Sequence, residues 1–173
     1  MIEAAILVIF PFCMIYAAAS DMLSMTISNR VPLLLVGTFL VVAPLSGMGW
    51  TDLSWHLVAG LVVLAFGFAM FAIRAMGGGD AKLMASTALW FGFRNELLDY
   101  LVTSALLGAV LTLMLISFRK SPLATLASQN ALLKHMADQK AGIPYGIALG
   151  AGALVTFPNS PLGAWALSSL SLR

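Results

Sequence analysis

The chain has 173 residues, of which 61% are hydrophobic and 9% charged, against roughly 25% charged in a soluble domain. A mean hydropathy of +0.98 excludes an ordinary soluble fold, and a net charge of +2 is too small to argue for a nucleic-acid partner. The single cysteine, Cys13, allows neither an internal disulfide nor a cysteine-based zinc site.

The expectation is an all-α integral membrane protein, one polytopic domain over residues 1–173, with about six transmembrane helices at ~20 residues per span. The first apolar run covers residues 2–19. Its start carries Glu3 and no Lys or Arg, unlike a signal peptide, so it reads as a span ending in Ser20-Asp21. Residues 22–30 are more polar and read as a loop or interfacial segment. A second span follows at 31–48, with Pro44 inside it, and a short turn at 47–52. The third span covers 53–73. Gly60 and Gly67, seven residues apart, share a face that can seat another helix closely.

Next comes Met76-Gly77-Gly78-Gly79-Asp80-Ala81-Lys82, three glycines meeting an acid and a base in an apolar chain. The fourth span, 81–93, covers only ~20 Å of a ~30 Å core. It crosses only if helix continues back towards Met76, which draws Asp80 into the membrane boundary. The fifth span covers 97–118. Within 119–141, Ser121-Pro122 reads as an N-cap with proline at the first helical position, and Gly142 and Pro144 as the stop. Leu123, Leu126, Leu133 and Ala137 share one face, as in an interfacial amphipathic helix. A sixth span starts near Ile143 and holds Gly146 and Gly150, a pair suited to close packing; Pro158 and Pro161 disturb its exit.

Six spans put Arg30, Arg74, Lys82, Arg119, Lys120, Lys134 and Lys140 on one side and Arg94 and Arg173 on the other. The richer side is cytoplasmic by the positive-inside rule, with both termini outside. Trp50, Trp55, Trp90 and Trp165 then fall near the outer interface, where indole is favoured. Asp21 and Asp80 both lie at the cytoplasmic boundary. Glu3, Asp52, Glu96 and Asp99 are on the outer side, and Asp138 is in the long cytoplasmic loop. Carboxylates at membrane depth point to function. Two that meet cannot both ionise easily, and a pair sharing a proton is how aspartic proteases split peptides. His56 and His135 fall on opposite sides and share no site; no metal-ligand spacing and no nucleotide-binding loop is present.

Gly77-Gly78-Gly79-Asp80-Ala81-Lys82-Leu83 resembles the GxGD motif of the type IV prepilin peptidases. Asp21 with Thr26-Ile27-Ser28-Asn29 is similar to their first catalytic aspartate and its downstream Ile-Pro-Asn, with Ser28 where the family usually has proline. Ile143-Pro144-Tyr145-Gly146 resembles the opening of their last shared helix. The chain is most similar to the short form associated with Flp-type, tight-adherence pili. Longer members carry paired CxxC motifs and also N-methylate the new pilin terminus. This chain has no paired cysteines and no room for that segment, so the resemblance implies a peptidase without the methylation module.

The resemblance further implies Asp21 and Asp80 as the catalytic pair, in a bacterial inner membrane, facing the cytoplasm, with no cofactor and no metal. The implied partners are the lipid bilayer and a prepilin: a small pilin with a short basic leader on an apolar helix, cut at the cytoplasmic boundary. Gly77, Gly78 and Gly79 would let an extended substrate backbone approach Asp80. Lys82 is a weaker substrate-contact candidate, since two residues along a helix turn it away from Asp80. Two rivals use the same features: a small proton- or ion-coupled transporter, and a non-catalytic scaffold for pilus assembly.

Overall fold

The computed structural model describes residues 1–122, 124, 137–138 and 142–171. The amphipathic helix expected between 121 and 141 falls for the most part outside the described residues, as do Lys134, His135, Lys140 and Arg173. The described residues are helical, with no strand among them: α1 (Ile2–Ser24), α2 (Arg30–Leu45), α3 (Trp50–Ala72), α4 (Gly78–Phe91), α5 (Asn95–Arg119), α6 (Tyr145–Thr156), a 3₁₀ turn at Phe157–Asn159, and α7 (Pro161–Ser171).

Helices α1, α3 and α5 are each long and apolar enough to cross a membrane; α2 is a shorter apolar helix. Large apolar side chains such as Phe12, Leu61 and Leu113 stand on the outer surface. An apolar exterior of this extent needs a lipid solvent rather than water, and the protein is a multi-pass membrane protein.

The first span is longer than its apolar run suggests. Helix continues past Ser20 to Ser24 and stops at Met25, which takes the left-handed conformation at φ 53° while its N–H bonds the Asp21 carbonyl. Asp21 therefore sits inside the last turn of α1 rather than beyond it. The stretch expected as a sixth span is not one helix. It breaks at the 3₁₀ turn around Pro158, and α7 restarts at Pro161, because neither proline can donate a helical N–H.

Helix α4 is the axis of the bundle. It packs against α3 foremost, and also against α2, α5, α6 and α7. Residues 83–91 are all buried, as expected of a helix apolar all round. Gly60 and Gly67 seat it. A Cβ on Gly60 would stand 2.6 Å from Leu89, and one on Gly67 2.9 Å from the Ala81 Cβ, so α3 and α4 run antiparallel at close approach. On the far side, Gly150 brings α6 against the Met14 carbonyl of α1, and Gly108 and Gly152 bring it against α5 through Tyr145 and Ser104.

Helices α1 and α4 also run antiparallel, and their contacts form rungs. Phe10 meets Trp90 with ring centroids 5.0 Å apart, and one turn on, Met14 Sδ lies 3.8 Å from the Thr87 hydroxyl. Phe157 stacks on Phe10 at 4.1 Å. Trp90, expected in the interfacial belt, is instead wholly buried here, with its indole N–H donating to the Leu35 carbonyl at 3.3 Å. Following the rungs seven residues from Met14 and seven from Thr87 leads to Asp21 and Asp80 at one end.

Candidate functional site

Asp21 is buried. Its carboxylate accepts the Gly146 backbone N–H at 2.7 Å. Gly146 lies in the first turn of α6, behind Pro144 at the N-cap, where backbone N–H groups have no helical acceptor and the helix dipole favours an anion. Glycine is required there. A Cβ would stand 2.9 Å from both Oδ2 and the Cβ of Asp21.

Asp80 is the third residue of α4, counted from Gly78, and is half-buried. Its carboxylate lies beside Gly77, the N-cap, where a Cβ would stand 2.8 Å from Oδ2, on the side to which a capping-box acid turns. The charge of Asp21 acts directly on Asp80. Both acids line one cavity of about 1200 Å³, bounded also by Met25, Phe71, Arg74, Gly77, Arg119 and Tyr145. The structure thus brings together Asp21, Asp80 and Gly77.

Gly78, Gly79 and Lys82 do not line that cavity. A Cβ on Gly78 would lie 3.3 Å from the Phe71 ring, and one on Gly79 3.2 Å from the Ile27 Cβ, so both glycines have neighbours within the chain. Lys82 points away from Asp80 and donates to the Asn29 side chain at 3.0 Å. Ile27 against Gly79 and Asn29 against Lys82 join the segment after Asp21 to the segment around Asp80, so the two motifs that carry the acids lock to each other.

Some residues that hold or surround the acids were not legible in the sequence. Gly146 reads there as a packing residue, and its grip on Asp21 depends on a partner 125 residues away. Arg74 reads as a positive-inside anchor. It stands in the cavity wall with φ 61°, an uncommon conformation for a residue with a Cβ and one that clusters at functional sites. Arg119 lines the opposite wall and donates to the Gly142 carbonyl at 2.8 Å. Among the described residues, no group of three or more His, Cys, Asp or Glu forms a metal site. His56, expected near the outer interface, is fully buried.

The site thus sets two carboxylates in one cavity whose wall also carries Arg74 and Arg119 and is otherwise largely apolar. The sequence profile of the type IV leader peptidase family matches residues 8–116, more than half of the chain and inclusive of both aspartates. No curated relative matches, and no solved structure does.

Proposed function

Since the chain belongs to the type IV leader peptidase family, we propose that it is an aspartic endopeptidase that removes the leader from Flp-like prepilins, with Asp21 and Asp80 as its catalytic pair. The observation that carries this reading is the one cavity lined by both carboxylates, contributed by antiparallel helices α1 and α4. One carboxylate, ionised, takes a proton from a water, whose oxygen bonds to the scissile carbonyl carbon. The other, protonated, donates to the carbonyl oxygen. As the tetrahedral intermediate collapses, the C–N bond breaks, the carboxyl that took the water's proton gives it to the leaving amine, and a hydroxyl of the intermediate returns its proton to the other carboxylate, which restores the pair. The two act as a unit, so the protons belong to the pair. No cofactor enters.

In the same proposal, residues 1–173 form one unit of six spans in a bacterial inner membrane, with the fourth through α4 and the sixth through α6 and α7. The aspartate end carries Arg74, Lys82 and Arg119 around the acids, against Arg94 at the other end. This charge bias supports a cytoplasmic location of the cavity. The lone cysteine supports cleavage without N-methylation. Gly77 is the glycine against which a substrate backbone lies, and Arg74 and Arg119 flank it.

The test is cleavage of a Flp-type prepilin by the purified protein in detergent, with the product terminus read by mass spectrometry. A single cut at the leader junction with a free, unmethylated amine is expected. No cut overturns the peptidase assignment, and methyl transfer from an added methyl donor overturns the methylation-free form.

A further inference from the structure

A separate groove of about 570 Å³ runs along the face of α4 turned away from the acids, between α2 and α3. Both of those helices pack on α4 and hardly touch each other, so α4 itself forms the floor, at Ala85, Ser86 and Leu89. Val36 and Leu61 stand on the two sides. Leu61 is 65% exposed, so the groove faces out of the bundle. The Ser86 hydroxyl donates to the Leu83 carbonyl at 2.9 Å, and the floor is left apolar. No residue of this groove lines the aspartate cavity.

Polarity is confined to one end. Lys82 and Asn29 close the groove at the aspartate end of the bundle, and both are exposed. The Lys82 ammonium donates to Asn29 Oδ1 at 3.0 Å and has no acidic partner among the described residues. It has further hydrogens to give, and the Asn29 carboxamide, with its oxygen turned to Lys82, has those of its NH₂ group. Arg30 begins α2 next to Asn29 and adds a second cation at this end. No Asp or Glu among the described residues lines the groove. From Lys82 to Leu89 the floor rises by about 10 Å along the helix, which fits inside one leaflet, half of a ~30 Å core.

We propose that this groove binds one anionic phospholipid from the leaflet on the aspartate side. An acyl chain lies along α4 between α2 and α3, where the walls make no polar demand on it. The phosphate oxygens accept from Lys82 Nζ and Asn29 Nδ2. The sign of the charge selects the headgroup. A choline or ethanolamine ammonium would come to rest near Lys82 and Arg30 with no carboxylate to meet it, whereas a phosphoglycerol brings no cation. The apolar helix of a prepilin is not the occupant, because its scissile bond has to reach acids on the other face of α4. A lipid seated here bridges α2 to α3 and braces the junction between Asn29 and Lys82. The proposal stands apart from the peptidase reading, since it uses neither aspartate.

The experiment reconstitutes the delipidated protein in nanodiscs of phosphatidylcholine mixed with an equal share of phosphatidylglycerol or phosphatidylethanolamine. Native mass spectrometry reads the retained lipid, and thermal unfolding reads stability. Phosphatidylglycerol is expected to be retained at least about fivefold over phosphatidylcholine, a difference of about 1 kcal/mol, and to raise Tm where phosphatidylethanolamine does not. Lys82→Gln keeps a donor for Asn29 but removes the charge, and it brings retention down to the phosphatidylcholine level; Lys82→Arg restores it. Val36→Phe fills the groove with the polar end intact and also lowers retention. Lys120→Gln removes a charge at the same end of the bundle but outside the groove, and it keeps the preference. A photoreactive phenylalanine analogue in place of Leu61 is expected to capture lipid and not co-expressed prepilin. Equal retention of the three lipids overturns the proposal. An equal loss for Lys120→Gln and Lys82→Gln overturns it as well, because it marks diffuse surface charge rather than a site. Capture of prepilin at position 61 gives the groove to the substrate and overturns the lipid assignment.

Discussion

The Asp21 carboxylate and the Gly146 N–H are 2.7 Å apart, so the acid at the end of the first helix is held by the start of the sixth. Gly146→Ala tests this clamp. The added Cβ would meet Asp21 at 2.9 Å, and the carboxylate must move. Misplacing a reacting group by about 1 Å can cost on the order of a hundredfold in rate. Prepilin cleavage is expected to fall by about that factor while the protein still folds, with Tm somewhat lowered because the Asp21 Cβ must give as well as its carboxylate. Cleavage within about threefold of wild type would show that the clamp does not position the acid.

Asp21→Asn and Asp80→Asn keep the shape of each side chain and remove its ionisable group. Each is expected to lower cleavage by about a hundredfold or more, because each member of the pair must both take and give a proton. The double variant should be no worse than either single one, as for groups that act as a unit. Asp138→Asn and Glu96→Gln are the controls. A gel-shift assay of co-expressed prepilin, normalised by blot, reads all five proteins. Near-normal cleavage by either single Asp→Asn variant rules out the two-carboxylate mechanism.

Lys82 bonds Asn29 on the face of α4 turned away from the acids. Lys82→Gln preserves a donor to Asn29, and cleavage is expected to stay within a few-fold of wild type. Lys82→Glu places a carboxylate against the Asn29 oxygen and should loosen the junction between the two acid-bearing segments, lowering Tm along with cleavage. A selective rise in KM for Lys82→Gln at unchanged Tm would instead make Lys82 a substrate contact.

Gly67 allows α3 to approach the Ala81 Cβ next to Asp80. Gly67→Leu overpacks that crossing, at a cost of about 1–3 kcal/mol. It should lower Tm and cleavage together, while Gly37→Leu, where no atom lies within 4 Å of the added Cβ, should leave both unchanged. An unaltered Tm for Gly67→Leu, read by thermal unfolding in detergent, is the contrary result.

The six-span orientation predicts opposite faces for the two ends of the bundle. In a Cys13→Ser background, Thr51→Cys should react with an impermeant thiol reagent from outside the cell and Lys120→Cys only after the membrane is opened. Both positions are exposed at helix ends. Labelling of Lys120→Cys in intact cells would place the aspartate cavity outside.

The amino-acid sequence by itself determined the membrane class, most of the helices, and the end of the bundle at which Asp21 and Asp80 lie. These follow from local quantities: the length of apolar runs, the seven-residue spacing of Gly60 and Gly67, and the parity of span counting. The early start of the fourth helix was also legible, since the sequence calls for helix before Ala81, and it starts at Gly78. Tertiary structure decided what depends on which helix faces meet. It buries Trp90 and His56 at levels where the sequence suggests interface, and it breaks the last span in two. It turns Lys82 to Asn29, and it fixes Asp21 against a backbone donor 125 residues away. Periodicity places a residue on a face of its own helix. Only the packing of small residues against a neighbouring backbone sets the register between helices, and that register decides which polar groups come within hydrogen-bonding distance.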